Sequence, residues 1–262
     1  MNIEQHIRRK RLAQLSLSNP AKSIILGSLL GDGCLRIYKG YQNAQFSIRH
    51  TDRQKEYLEW KVSLLMLGEV SGCISKCKPD GFSKNKKWIF QSHVSENLSK
   101  IHELTHKQNK LNIKRSWLNH CTAASLAVWW FDDGSLISLK RRGVFCTDGF
   151  DEKSCLILSQ YLEKVWKISV SVRPIYRKEY DKSYYRLRIC TSELKKFLRI
   201  ILPHVPLIWD MFEQKMLIRY KDRFLQERWI SEVYNTVKDR ETADTKDFFD
   251  TFRKKYSPVL IE

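Results

Sequence analysis

No stretch of this 262-residue chain approaches the ~20 consecutive apolar residues that a membrane helix requires. The apolar run at residues 24–30 is interrupted by Gly27 and Ser28. Ahead of it, the basic cluster Arg8-Arg9-Lys10-Arg11 lacks the apolar core and small-residue cleavage site of a secretory signal. The seven cysteines are scattered at 34, 73, 77, 121, 146, 155 and 190. Only Cys73 and Cys77 are close, and no second Cys or His pair follows them at zinc-site spacing. The seven histidines form no motif. Together these absences predict a soluble protein of a reducing compartment, with no membrane partner and with thiols that are plain core or surface groups.

Negative charge is also scarce: 29 acidic side chains face 47 basic ones, for a formal net charge of +18. The same chain is 42% apolar and 12% aromatic, enough for a substantial core in one large domain or two smaller ones. An excess of this size calls for an anionic partner. Nucleic acid is the expected one, because neutralising phosphates with Lys and Arg releases counterions and supplies sequence-independent affinity. An acidic membrane surface is the alternative.

Against this background one pattern occurs twice. Ile25-Leu26-Gly27-Ser28-Leu29-Leu30-Gly31-Asp32-Gly33 returns as Leu126-Ala127-Val128-Trp129-Trp130-Phe131-Asp132-Asp133-Gly134. Each is an apolar run closed by Asp-Gly and reads as a helix with a carboxylate on its last turn and glycine as its stop. Gly27 and Gly31 share one face, where small residues let another helix come close. A single Asp-Gly after an apolar helix is an ordinary helix end. Two of them invite a different reading, because a carboxylate at a helix C-terminus faces the negative end of the macrodipole. Bringing two together requires something positive between them. Asp32 and Asp133, with the carbonyls of Gly31 and Asp132, supply hard oxygen ligands of the kind that hold Mg²⁺. Asp132 competes with Asp133 for that role, and Asp133 is preferred because, like Asp32, it directly precedes the glycine.

The surroundings repeat too. After the first motif, residues 43–49 alternate polar and apolar, as a half-buried strand does. Thr51 and Gln54 resemble a capping box before a helix carrying Tyr57, Leu58, Val62, Leu65 and Met66. Strands are predicted at 73–78 and 87–93, joined by Pro79-Asp80-Gly81, then a helix at 95–107. From Ala123 the order recurs: strands at 136–139 and 144–147, a helix at 152–166, strands at 169–177 and 183–190, a helix at 192–201. A further helix is predicted at 216–234.

The two motifs and the αββαββα order around them resemble the LAGLIDADG homing endonucleases, in the monomeric branch with both motifs in one chain. The resemblance implies an α+β fold of two pseudo-symmetric αββαββα repeats, forming a DNA-binding β-saddle around a central pair of motif helices. It divides the chain into a basic N-terminal arm (1–20), a first repeat (21–117), a second repeat (118–216) and a C-terminal helix and tail (217–262). The implied activity is Mg²⁺-dependent cleavage of both strands of a long, specific DNA site, promoting intron mobility, with two or more metal ions and with Mn²⁺ or Ca²⁺ able to substitute in binding. Catalytic acids would be Asp32 and Asp133. Basic residues that polarise the phosphate or the attacking water fit Lys114 and Lys215, since Lys215 follows Lys114 by the interval that separates Asp133 from Asp32. Lys110 and Arg115 are the substitutes. DNA would be read by polar strand faces. The first-repeat candidates are Gln45, Ser47 and Arg49, with Arg36, Tyr38, Lys76, Lys78, Lys87, Gln91 and His93 as neighbours. In the second repeat they are Arg173, Arg177, Arg186 and Arg188, with Lys140, Arg141 and Arg142 in the loop after the motif. Members of the family act in mitochondria, chloroplasts or bacterial cytoplasm. The other readings are an RNA-binding maturase that assists splicing of its intron, and a non-cleaving DNA-binding regulator.

Overall fold

The structure, a computed structural model, describes residues 17–77 and 86–260. The basic cluster at 8–11, the expected turn at 79–81 and the candidate Lys78 lie outside the described residues. The chain divides into two compact units, Met1–Asp132 and Asp133–Glu262.

In the first unit, Ser18 caps α1 (Asn19–Leu29) by accepting the amide of Ala21, and Pro20 occupies the first turn, where its missing N–H costs nothing. The helix stops at Leu30, and Gly33 opens β1 (Gly33–Arg36). Then follow β2 (Gln45–Thr51), α2 (Lys55–Met66), β3 (Gly72–Cys77), β4 (Lys87–Ser92) and α3 (Glu96–Thr105). The strands form one antiparallel sheet in the order β1-β2-β4-β3. One face is the core face, with Leu35 of β1, Phe46 and Ile48 of β2 and Phe90 of β4 fully or almost fully buried. A two-stranded hairpin of β5 (His106–Lys107) and β6 (Lys110–Leu111) and the short α4 (Arg115–Leu118) lead to the second motif helix, α5 (Ala123–Asp133). The capping box expected at Thr51 and Gln54 does not form. Thr51 is still paired in β2, its hydroxyl donates to the Gln54 side chain at 3.2 Å, and a 3-10 turn, Asp52–Gln54, precedes α2.

The second unit repeats the pattern. It contains β7 (Gly134–Ile137), β8 (Arg142–Phe145), α6 (Glu152–Trp166), β9 (Ser171–Arg177), β10 (Lys182–Ile189) and α7 (Thr191–Ile201). The sheet order, β7-β8-β10-β9, is that of the first unit with each strand replaced by its counterpart. Beyond it the structure departs from the expected helix at 216–234. Instead α8 (Trp209–Met216) ends before α9 (Arg223–Val237), and α10 (Lys246–Leu260) follows. The break is local chemistry: Asp222 caps α9 by accepting the amide of Leu225, which starts a new helix there. Trp209, Phe212, Phe248 and Phe252 pack edge to face between α8 and α10.

The two motif helices pack within the first unit. A Cβ placed on Gly27 would lie 2.4 Å from the Ser125 carbonyl oxygen and 2.8 Å from Val128 Cβ. One on Gly31 would lie 2.4 Å from Asp132 Cβ. Val128 and Asp132 stand at the second-motif positions that match Gly27 and Gly31, so glycines on one helix receive the bulk of the other. Replacing Gly27 with alanine should therefore lower stability by about 1–3 kcal/mol despite alanine's better helix propensity, because the obstacle is backbone that moves only if the helices separate. Urea denaturation would show a lower midpoint for Gly27→Ala and little change for Gly149→Ala, whose added Cβ meets nothing within 4 Å.

Candidate functional site

Where α1 ends, the turn at Gly31-Asp32-Gly33 brings Asp32 beside the partner helix, at the unfavourable negative end of the α1 dipole. The Asp32 amide donates to Asp132 Oδ2 at 3.1 Å. The other oxygen, Asp132 Oδ1, accepts from Tyr57 Oη at 2.8 Å and from Lys61 Nζ at 2.5 Å. The Lys61 and Asp132 side chains are completely buried, whereas the Asp32 side chain keeps 39% of its exposure. Lys61 Nζ also lies 3.2 Å from His50 Nε2, and His50 Nδ1 faces Asp32 Oδ2 at 3.5 Å. An ammonium group has donors only, so His50 Nε2 must accept and the ring proton sits on Nδ1, directed at Asp32.

These contacts add two features to the sequence-based reading. The carboxylate that meets Gly31 is Asp132, whose side chain is engaged by a lysine and a tyrosine. His50 bridges Lys61 and Asp32. Both His50 and Lys61 were detectable. His50 is the next even-numbered position after Ala44, Phe46 and Ile48 in the alternating strand, and Lys61 interrupts the apolar stripe of Tyr57, Leu58, Val62 and Leu65. A charged residue on a core stripe requires a buried partner.

Asp32, His50 and Asp132 bring ligand atoms within 4.8 Å of one another. A hard divalent cation fits this group only through Asp32, whose carboxylate is partly solvated, since Lys61 already places a positive charge on Asp132.

In the second unit Asp133 is half-buried, and its carbonyl accepts the Cys146 amide at 2.9 Å. Burial pushes the Cys146 thiol above its usual range, opposed by the positive charges of Arg186 and Lys215 and reinforced by Asp133 and Asp148. Asp133 and Lys215 thus both act electrostatically on the Cys146 thiol, in opposite directions. Lys215 is the penultimate residue of α8. Lys114 is exposed immediately before α4, and its carbonyl accepts the Leu118 amide. Of the substitutes, Lys110 is exposed in β6 and Arg115 donates to Asn119.

Strand register sorts the recognition candidates. Arg36 pairs with Gln45, Ser47 with Gln91, and Thr51 with Lys87, so Arg36, Gln45, Ser47, Arg49, Lys87 and Gln91 share the face opposite the core. Lys76 pairs with Trp88 on the other face, its ammonium 5.0 Å from the indole centroid, because the period of two puts it in the register of Phe90. Tyr38 and His93 lie just outside the strands and are exposed. In the second sheet Arg173 pairs with Arg186 and Ser171 with Arg188, and Arg142, Arg177 and Lys182 lie on the same side. Arg142, Arg173 and Arg188 line a depression of about 300 Å³. Arg186 forks onto Asp148 with contacts of 2.6 and 2.5 Å, joined by Arg177 at 3.2 Å, and Arg186 holds the Asp148 carboxyl below the usual range. Lys140 is directed at α8, donating to the Glu213 carbonyl at 3.2 Å, and Ser138, Leu139 and Lys140 are all left-handed at φ 53°, 60° and 61°. Arg141 closes that turn through its amide.

A duplicated four-stranded sheet with the same strand order, each copy entered from an apolar helix followed by Asp-Gly and each carrying a basic outer face, defines a two-repeat α+β architecture with one motif acid at the entry to each sheet. Residues 22–197, more than half of the chain, match the family described as "LAGLIDADG DNA endonuclease family", and the chain belongs to it. Among curated proteins it is 28% identical over 225 residues to Protein RecA of Mycobacterium gastri, covering 79% of this chain and 49% of that protein. It is 23% identical over 205 residues to the DNA endonuclease I-ChuI of Chlamydomonas applanata, covering 72% of this chain and 92% of that one. The chain thus spans about half the length of the RecA proteins it matches. Among solved structures, the homing endonuclease I-WcaI bound to its DNA recognition sequence shares the fold with a TM-score of 0.66 and 20% identity, covering 82% of this chain and 93% of that one.

Proposed function

We propose that the chain is a site-specific homing endonuclease that cuts both strands of a long duplex DNA target in the presence of a divalent metal ion, and so promotes mobility of the intron that encodes it. The observation that carries this reading is the duplication: each of Asp32 and Asp133 sits at a helix-to-strand junction that feeds a sheet with a basic outer face. Asp32 and Asp133 would hold the metal ions, whose chemistry is to make bound water a nucleophile at neutral pH and to neutralise charge on the phosphate. Lys215, whose charge acts on the same Cys146 thiol as Asp133, would supply the positive charge suited to the developing phosphate charge. Arg142, Arg173 and Arg188 offer the donor forks that pair with guanine edges or phosphate oxygens.

The direct test is duplex DNA carrying the joined sequences that flank the gene, incubated with Mg²⁺ and then with EDTA. Linearisation only with Mg²⁺ is the expected result. No cutting of any flanking duplex, together with tight binding of the surrounding transcript, would replace this reading with the maturase one. Affinity for the duplex should also fall with salt at a log–log slope of about −0.9 per phosphate neutralised, so six contacts would cost roughly a thousandfold between 50 and 200 mM. A flat response in a filter-binding titration would contradict DNA contact through the arginine-rich faces.

A further inference from the structure

We propose that Lys61 is a resident cation for Asp132, and that Lys61, Asp132, Tyr57 and His50 act as positioning residues for Asp32 rather than as part of the metal's ligand set. The proposal rests on the nuclease reading for what Asp32 does, but its test does not depend on cleavage.

The argument begins with charge. Asp132 is buried, and a buried carboxylate needs a counter-charge and hydrogen bonds to both oxygens. It has them: Lys61 and Tyr57 on Oδ1, the Asp32 amide on Oδ2. A metal ion bound through Asp132 Oδ1 would have to share that oxygen with an ammonium 2.5 Å away that has no exposed surface toward which to retreat. The ammonium is itself fixed, resting 4.5 Å from the Tyr57 ring centroid and 3.2 Å from His50 Nε2. Tyr57 is anchored in turn by stacking on Trp60 at 5.7 Å.

The consequence reaches Asp32 by two routes. Its backbone is held by the amide bond to Asp132 Oδ2, which fixes the turn after α1. Its side chain is faced by His50, whose proton is placed on Nδ1 by the lysine on the other nitrogen. The device therefore sets where the Asp32 carboxylate lies while leaving it partly open to solvent and ligand. It also accounts for an acid at 132 where the first motif has Gly31: the side chain is one end of a clamp on the opposite motif.

The experiment uses the full chain with Tb³⁺ as probe, whose luminescence the adjacent Tyr57 and Trp60 can sensitise, and ¹⁵N NMR of the histidine rings. Asp132→Asn should leave Tb³⁺ affinity within threefold of the unsubstituted chain, whereas Asp32→Asn should weaken it tenfold or more. Lys61→Met should tighten Tb³⁺ binding at least tenfold, because it exposes a carboxylate without its cation. The double variant Lys61→Met/Asp132→Asn should lose that gain. The His50 ring should show protonated Nδ1 and bare Nε2, and the Lys61 substitution should shift it toward protonated Nε2. Equal loss of Tb³⁺ binding in Asp132→Asn and Asp32→Asn would overturn the proposal, as would no gain in Lys61→Met or a His50 tautomer indifferent to Lys61. Should Lys61→Met fail to fold, Asp132→Asn and the charge-neutral double variant carry the decision. If the metal and NMR results hold but no duplex is cut, the nuclease reading fails and the positioning assembly stands.

Discussion

Substituting Asp32 with asparagine should reduce double-strand cleavage roughly a thousandfold or more, the scale of losing a preorganised group that stabilises transition-state charge, and Asp133→Asn should do the same. Neither change should unfold the protein. The Asp32 side chain is 39% exposed, and asparagine keeps an oxygen for the His50 Nδ1 proton at the same place. Its backbone amide, which holds Asp132, is untouched by the substitution. Duplex affinity should therefore stay within a few-fold of the unsubstituted chain while plasmid linearisation disappears. Gel-shift and cleavage assays on the same preparations separate the two quantities. Loss of binding in proportion to loss of cutting would mean that the carboxylates are structural.

The second large effect concerns stability. Lys61→Met should destabilise the fold by about 3–5 kcal/mol, because it removes the buried ammonium paired with the Asp132 carboxylate. Tyr57 and the Asp32 amide still donate to it, but neutral donors do not offset the desolvation of a full charge. For a protein of this size the melting temperature should drop by roughly 6–20 °C. Pairing the change with Asp132→Asn should recover most of the loss, since replacing both members of a buried ion pair is often neutral. Calorimetry on the three variants measures this directly. A Lys61→Met protein as stable as the parent would mean that Asp132 finds another cation.

Much of this architecture was legible in the chain. The alternation around residues 43–49 put Phe46 and Ile48 on one face and Gln45, Ser47 and Arg49 on the other, and the register agrees. The helix at Glu152–Trp166 falls at its expected bounds, capped by Asp151 on the Ser154 amide. Elsewhere, local chemistry that no periodicity reveals decided the outcome. The Asp222 cap starts α9 at Arg223 rather than at the expected 216, and strand pairing claims Thr51 before it can cap α2.

By itself, then, the sequence determined the duplication, the two Asp-Gly junctions and the strand faces, because each follows from a local period or a short motif. It also marked Gly27 and Gly31 as a close-approach face, since only small residues allow two helix backbones to meet. Only the tertiary structure decided which acid of the Asp132-Asp133 pair enters that helix contact. The partners of Asp132 come from α2 and from the turn after α1, far away in sequence, and a buried charge takes its role from whichever groups surround it. The same reason turned His50 and Lys61 from a strand residue and a helix residue into the support of Asp32.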